Sequence, residues 1–281
     1  MKKSRKIDSR EVGLEIALLL GKHFFKTEHL HYGYWTSDLD IDLLNLPQAQ
    51  ENHSNFVISH IPSQTKTILD VGCGVGRFAL KLADRGYHVD CVSPSPVFTK
   101  YAHDLLGNKS HIFECSFETL QTENLYDMIL FSESFQYLKL KKVFQNALKF
   151  LNDGGYILIC DFFKTDANGK SALRGGRKLT KFYDTVSQYP LKTIKDIDIT
   201  PETAPNLKIV NDLLTNVGHP IWNLIIHFLN NNYPLFSKSL QWKYRKRIEK
   251  INRKYFSGER NAENFATFKS YRLLLYQKVS L

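Results

Sequence analysis

Cysteine is scarce in this chain, and its four cysteines are widely separated. Cys73, Cys91, Cys115 and Cys160 form no C-x-x-C pair and have no nearby histidine pair at the spacing of metal ligands. Each lies in or beside an apolar segment typical of a buried strand, which favours reduced thiols over disulfides. The sequence therefore predicts neither a disulfide framework nor a metal site.

Long hydrophobic runs are also missing. No stretch reaches the roughly 18 apolar residues that a membrane-spanning helix needs. The opening MKKSRK, followed by LEIALLLGKHFF, superficially imitates a signal peptide, but Glu15 interrupts the apolar run and no small-residue cleavage site follows. We interpret the segment as an amphipathic helix and expect a cytoplasmic protein.

Positive charge is in excess but unevenly distributed. The formal net charge is +10, of which residues 236–260 supply +7 and the first ten residues +4. A nucleic-acid enzyme more often spreads basic residues around its cleft, so we expect no nucleic-acid partner. Residues 236–260 carry apolar side chains at helical spacing. This pattern indicates either a helix with a solvated basic face or a helix that contacts an anionic membrane surface or an acidic substrate.

Strand and helix periods alternate between residues 61 and 164, which is typical of a parallel sheet built from βαβ units. Five strands are predicted there, and KTIKDIDIT and YRLLLYQKVSL predict a sixth and a seventh. The roughly 70 residues between those two are far longer than an ordinary connection and read as three helices. We predict an α/β fold with a doubly wound, Rossmann-like, seven-stranded, mostly parallel sheet. A helical segment precedes it, and a helical cap is inserted before the last strand.

A glycine-rich turn follows the first predicted strand, in ILDVGCGVGRFAL. Asp70, Gly72, Gly74 and Gly76 follow the order D-x-G-x-G-x-G. Glycines permit strained backbone angles and let a ligand lie directly against the main chain. The spacing differs from the G-x-G-x-x-G of dinucleotide-binding enzymes, and the acid lies two residues before the first glycine.

With this turn, the chain resembles the class I S-adenosylmethionine-dependent methyltransferases. YDMILFSES is similar to the fourth-strand motif of that family, and LNDGGYILI to its turn into strand five. HLHYGYW, followed by QAQ, is similar to the entry segment of gamma-tocopherol, sterol and sarcosine methyltransferases and, more distantly, of cyclopropane fatty acid synthases. The resemblance implies an S-adenosylmethionine-binding core over residues 61–165. It is preceded by an entry segment over 1–60 and followed by a loop, strand and helical cap over 166–270 and a final strand over 271–281.

The resemblance also implies which residues contact S-adenosylmethionine and, after transfer, S-adenosylhomocysteine. They belong to the glycine turn, the ends of strands two, three and four, and the entry segment: Asp70, Gly72, Cys73, Gly74, Gly76, Ser93, Pro94, Ser116, Phe117, Ser132, Tyr32 and Trp35. For Tyr32 and Trp35 an alternative is an aromatic staple that packs the entry segment onto the sheet.

Two acids usual in the family are missing. Ser93 stands where an acid normally accepts both ribose hydroxyls, and Ser116 stands where an aspartate accepts from the adenine amino group. VSPSP is similar to the TLSP sequence of the small-molecule subgroup, but the glutamine that often follows there is Phe98 here. Neutral hydrogen bonds contribute less than charged ones, so we expect micromolar rather than nanomolar cofactor affinity.

Two residues are candidate general bases. Glu133 matches a glutamate of the tocopherol-type enzymes, although the Glu-His pair that follows it in those relatives is Gln136 and Tyr137 here. His31 is the second candidate, because a neutral imidazole accepts a proton near pH 7. For each residue a structural role is an equal alternative.

The predicted function is methyl transfer to O, N or C of a small, lipophilic or natural-product acceptor. Apolar residues of the helical insertion, including Trp222 and Phe228, suggest a lid over the acceptor pocket. Two alternatives stay open at this point: a methyltransferase that acts on RNA or protein, and a regulator that binds the cofactor without turnover.

Overall fold

A seven-stranded sheet forms the centre of the molecule. The computed structural model describes residues 9–169 and 171–279, with side chains from Val12 onward, so most of the basic N-terminal segment lies outside the described residues. The strands are β1 (Thr67–Val71), β2 (His88–Val92), β3 (Ile112–Phe113), β4 (Tyr126–Ser132), β5 (Leu151–Lys164), β6 (Leu191–Asp198) and β7 (Lys269–Lys278).

Eleven α-helices are described in the same ranges. They are α1 (Ser9–Leu20), α2 (Leu46–Ile58), α3 (Arg77–Ala83), α4 (Pro96–Leu106), α5 (Leu140–Phe150), α6 (Leu179–Val186), α7 (Thr200–Thr203), α8 (Pro205–Leu213), α9 (His219–Asn232), α10 (Pro234–Tyr255) and α11 (Ala262–Phe268). Helices α7 to α11 lie between β6 and β7, which confirms the predicted insertion before the last strand.

The strand order is β3-β2-β1-β4-β5-β7-β6. Strands β1 to β5 pair in parallel, whereas β7 runs antiparallel to both of its neighbours. The predicted mostly parallel, seven-stranded sheet is confirmed. Since the carboxyl ends of β1, β2 and β4 meet at one edge, the loops that follow these strands converge there.

Helices cover both faces of the sheet, and β4 shows why. Met128 and Leu130 pack into one apolar cluster, while Ile129 and Phe131 pack into the other. All four are fully buried. Successive side chains of a strand point to opposite faces, so an uninterrupted apolar strand requires a layer of helices on each side.

Strand boundaries differ from the prediction at two edges. Strand β3, at one edge of the sheet, spans only two residues of the predicted SHIFECSF, because only Ile112 and Phe113 pair with β2. Strand β7 begins at Lys269, opposite Lys164, so the last strand starts two residues before the predicted boundary.

The entry segment is held against helices α2 and α8 by hydrogen bonds to its backbone. Gln50, in the QAQ of α2, donates from Nε2 to the carbonyls of His29 (3.1 Å) and His31 (2.7 Å). The Gly33 amide donates to Asn206 Oδ1 at 2.8 Å. A Cβ at Gly33 would collide with Ala49, so glycine is required for the close approach to α2. These contacts bring HLHYGYW to the edge where the parallel strands end.

Candidate active site

A cavity of about 730 Å³ opens at the carboxyl ends of β1, β2 and β4. This volume lies within the range of small-molecule sites. Ten of the predicted site residues line it: His31, Asp70, Gly72, Cys73, Gly74, Ser93, Pro94, Ser116, Ser132 and Glu133. The motifs that are separate in the sequence therefore meet at one place.

The glycine turn forms the floor of this cavity. Gly72, Gly74 and Gly76 all have positive φ, between 57° and 85°. A Cβ at Gly72 would collide with Ser134, whereas a Cβ at Gly74 would meet only Leu30 Cδ1, at 3.9 Å. Space is therefore left free above Gly74, where a ligand can lie against the main chain. Gly76 precedes the first residue of α3 and packs against α4, which explains why it does not line the cavity.

Asp70 is a buried acid whose Oδ2 accepts no hydrogen bond from the described part of the chain. Burial raises the pKa of its carboxyl group to about 7. A buried polar atom without a partner is uncommon and requires an explanation. Since Asp70 lines the cavity, a cationic ligand group can complete its hydrogen bonding.

Serines and a proline form the cavity wall at the end of β2. Ser93 is buried, and its Oγ accepts from the Ser95 amide at 3.4 Å. The nearest carboxylate of this strand, Asp90, is turned away and accepts from Tyr126 Oη at 2.7 Å. Ser95 also lines the cavity and accepts from the Phe98 amide at the start of α4. Hydroxyl groups, rather than a carboxylate, thus line the cavity at the end of β2.

Glu133 lies directly after β4 in a strained conformation, with φ of 53°. Its Oε1 accepts from the Tyr32 amide (2.5 Å) and from Tyr271 Oη (2.8 Å), and no described residue donates to Oε2. Burial raises the pKa of the Glu133 carboxyl group to about 8, and the negative charge of Asp161 adds to the shift. Strained residues cluster at functional sites, and a carboxylate with a pKa near 8 is a much stronger base than an ordinary glutamate.

His31 lies in a cluster of three histidines beside the cavity. Its Nδ1 donates to its neighbour's carbonyl, Tyr32 O, at 2.8 Å, so Nε2 carries the lone pair. Ser54 Oγ and His29 Nδ1 lie 3.2 and 3.1 Å from that Nε2, and the His53 ring stacks on His31. Burial lowers the pKa of His31 to about 3 and that of His29 to about 4. Both rings are therefore neutral and weakly basic near pH 7.

Three other predicted site residues lie outside the cavity lining. Tyr32 packs between Phe162, Phe265 and Tyr271, with ring centroids 5.9 to 6.2 Å apart, and only its amide reaches Glu133. Trp35 is buried in a small cluster with Ala49 of α2 and Ile209 of α8, away from the sheet. Phe117 lies in the core, edge-on to Phe131 and Phe150.

Several cavity residues escaped the sequence analysis. Arg77 forms an ion pair with Glu28, which also lies 3.3 Å from Lys22 Nζ. Glu118 lies near Ser116 in the lining and accepts from the Lys139 amide. Arg77 follows the glycine turn directly, so its position in the sequence could have predicted that it lines the cavity. Its ion pair with Glu28 spans 49 residues, so no local sequence pattern could have predicted that pair.

Comparison with known proteins agrees with this architecture. A model of the methyltransferase domain matches residues 69–159. The ubiquinone biosynthesis O-methyltransferase of Rickettsia canadensis (strain McKiel) is 27% identical over 146 residues, which cover 49% of this chain and 61% of the relative. The chain thus matches less than two thirds of that protein's length.

Solved structures share the fold across most of the chain. A Galdieria sulphuraria protein described as a sarcosine dimethylglycine methyltransferase has a TM-score of 0.66 at 19% identity, covering 89% of this chain and 93% of its own. The [4+2]-cyclase SpnF also has a TM-score of 0.66, at 17% identity and 97% coverage of both chains. Residues 69–159 thus carry a methyltransferase domain, and the sheet order and the glycine turn agree with the fold of the class I S-adenosylmethionine-dependent methyltransferases. Because a cyclase shares this fold, the fold alone does not define the reaction.

Proposed function

We propose that the protein transfers a methyl group from S-adenosylmethionine to a hydroxyl oxygen of a small, largely apolar acceptor. The observation that carries the proposal is the meeting, in one cavity, of the orphaned acid Asp70, the open cradle at Gly74 and the strained acid Glu133. The similarity to an O-methyltransferase supports the choice of oxygen.

The residues present fit this cofactor. The free Oδ2 of Asp70 suits the ammonium group of the methionine moiety, and the cradle at Gly74 suits a ligand lying on the main chain. Ser93 and the adjoining main chain are proposed to hold the ribose, and Ser116 with Glu118 the adenine end. When bound, the cofactor supplies an electrophilic sulfonium methyl group.

Glu133 is the proposed general base. Its two hydrogen bonds both engage Oε1, which fixes the carboxyl group and leaves Oε2 to accept the acceptor's proton. His31 is less suited to this role, because a pKa of about 3 makes it a weak base and its Nε2 already has two polar neighbours. We assign His31 to positioning the entry segment.

The apolar part of the cavity lining is the proposed acceptor wall, and it includes Leu30, Val75, Phe78, Phe98 and Leu138. The aromatic cluster of Tyr32, Phe162, Phe265 and Tyr271 lies outside the lining and holds Glu133 through the Tyr271 hydroxyl and the Tyr32 amide. An apolar wall favours a flat or aliphatic acceptor over a highly charged one. Closure around the acceptor would align the oxygen and exclude water, which is the main task left to the protein.

Calorimetry with S-adenosylhomocysteine, followed by methyl transfer from tritiated S-adenosylmethionine into fractionated cell extract, tests the proposal. We expect binding, and label in the small-molecule fraction. Glu133→Gln is the matched variant, since its amide oxygen still accepts from Tyr32 and Tyr271, and it should bind the cofactor but transfer no label. Label in RNA or protein would refute the acceptor class. Binding without any transfer would instead identify a regulator, and absence of binding would refute the cofactor assignment.

A further inference from the structure

Helices α9 and α10 form a hairpin that packs mainly on itself. No residue of α9 is buried, and in α10 only Ser237 is. The Ser237 hydroxyl and Gln241 Nε2 both donate to Asn230 Oδ1, at 2.6 and 2.8 Å, which clasps the two helices near their connection. None of the hairpin residues lines the cavity, and a lid over the pocket stays a prediction.

Large apolar side chains face solvent on this hairpin. Ile221, Leu224, Ile225 and Phe228 follow i, i+3, i+4, i+7 spacing and form one exposed stripe along α9. On α10, Leu235 is 84% exposed and Trp242, two turns later on the same face, is 83% exposed. Side chains of this size, exposed together, mark an interaction surface.

Basic residues surround the apolar ones. Lys238 and Lys246 lie one turn on either side of Trp242, and α10 carries eight lysines and arginines against the single acid Glu249. Within the described chain, Arg245 is the only one of the eight with a carboxylate oxygen in ion-pair range, Glu249 Oε1 at 3.5 Å. The basic charge of this surface is therefore left free to contact an anionic partner.

The combination points to a bilayer surface. Tryptophan and leucine insert at the boundary between headgroups and acyl chains, and lysine side chains extend from there to lipid phosphates. A second copy of this helix would bring like charges together. Nucleic acid would neutralise the lysines and arginines of α10 but leave the exposed apolar side chains of the hairpin in water.

We propose that α10 docks the protein on the surface of an anionic phospholipid bilayer. Its Leu235 and Trp242 face enters the interface, and its basic residues contact lipid phosphates. This inference goes beyond methyl transfer and does not depend on it, because docking requires neither cofactor nor acceptor.

Sedimentation of the full chain with vesicles tests the proposal, using phosphatidylcholine alone and phosphatidylcholine mixed with phosphatidylglycerol. We expect binding to the anionic vesicles only, weakened by salt, with a blue shift of tryptophan emission that Trp242→Phe abolishes. Replacing Leu235 and Trp242 by Gln together should weaken binding by about 10- to 100-fold. Replacing Lys243 and Lys246 by Gln should weaken it by about 30-fold.

Matched controls lie elsewhere on the surface. Leu44→Gln changes an equally exposed leucine, and Lys141→Gln with Lys142→Gln removes two exposed lysines of α5; both variants should bind vesicles like the unmodified chain. Circular dichroism and cofactor calorimetry should be unchanged in all variants, which separates this test from that of the proposed function. Equal binding to both vesicle types, no binding, or hairpin variants that bind normally would overturn the proposal. So would a Trp242-dependent dimer or RNA complex in place of vesicle binding.

Discussion

Glu133 combines backbone strain, a raised pKa and a free carboxyl oxygen at one residue. The left-handed conformation places the side chain under two donors, which hold Oε1. A carboxyl group with a pKa of about 8 is largely protonated at neutral pH, and it loses its proton and can act as a base as the pH rises through 8. Proton transfer should therefore limit the reaction on the acid side.

The first prediction concerns the pH profile of methyl transfer. With S-adenosylmethionine saturating, so that Asp70 is already engaged by the cofactor, kcat/KM for the acceptor should rise with pH and level off above about 8, because only the ionised Glu133 accepts a proton. Glu133→Gln should lower kcat by about 100- to 10,000-fold and remove this pH dependence. His31→Gln should keep the profile, since the pKa of His31 lies near 3. A profile unchanged in Glu133→Gln would assign the base elsewhere.

The second prediction concerns Asp70, whose effects on stability and on binding should have opposite signs. The pKa of Asp70 in the folded chain is about 7, above that of an unfolded aspartate, so the folded state holds its proton more tightly. The contribution of Asp70 to stability is thus present below pH 4 and lost as the pH rises toward 7.

Asp70→Asn should accordingly stabilise the cofactor-free protein at neutral pH by about 1 to 3 kcal/mol. The same change should weaken S-adenosylhomocysteine binding by roughly 10- to 100-fold, through loss of a charge-assisted hydrogen bond. Thermal unfolding from pH 4 to 8 and calorimetry measure the two effects. A variant that loses both stability and binding would show a structural rather than a ligand-binding acid.

At the scale of elements, two glycines of the turn between β1 and α3 have different roles, one in packing and one in ligand binding. Gly72 faces Ser134, whose hydroxyl donates to the carbonyl of Val71, while Gly74 faces open cavity. The two positions are two residues apart and have similar backbone requirements. Their substitutions should nevertheless have different consequences.

The third prediction compares three glycine-to-alanine variants with positive φ. Gly86→Ala adds a Cβ with nothing within 4 Å and measures backbone strain alone, about 1 to 2 kcal/mol. Gly72→Ala should cost about 1 to 3 kcal/mol more because of the collision with Ser134. Gly74→Ala should match Gly86→Ala in stability yet bind S-adenosylhomocysteine at least about tenfold more weakly. Denaturant unfolding and calorimetry distinguish these outcomes, and normal binding by Gly74→Ala would contradict the cradle.

At the scale of the whole molecule, the large apolar side chains divide into two groups. Some are buried in the core, and others are exposed on the hairpin. Phe135 is fully buried among Phe131, Phe144, Phe163 and Phe182. Phe228, on the hairpin, is more than half exposed. Among the described residues, no helix is both long and apolar enough to cross a membrane.

The fourth prediction uses this contrast. Phe135→Ala should lower the free energy of unfolding by about 3 to 5 kcal/mol, because it leaves a cavity in a packed aromatic cluster. Phe228→Ala should change it by less than about 0.5 kcal/mol. Chemical denaturation of both variants provides the measurement. A large loss in Phe228→Ala would show that the hairpin packs more tightly than the structure indicates.

The local sequence pattern was sufficient to predict the sheet and the glycine turn. Apolar periods span a few residues, and the acid and glycines of the turn lie within seven positions, so backbone sterics and burial act on neighbours in the chain. Boundaries were predicted less well: β3 is short because only two of its residues pair with β2, and the extent of pairing between strands is not visible in a segment read alone.

Tertiary structure decided which of the candidate residues share the cavity. Tyr32, Trp35 and Phe117 carry suitable side chains, yet packing turns them into apolar clusters. The raised pKa of Glu133, the neutral state of His31 and the free oxygen of Asp70 all follow from burial and from partners distant in the chain, such as Tyr271. Desolvation and long-range hydrogen bonds depend on the assembled fold, whereas motif and period depend only on neighbouring residues. The sequence by itself thus determined the class of protein, and only the fold decided how its acids are tuned and which apolar helices stay at the surface.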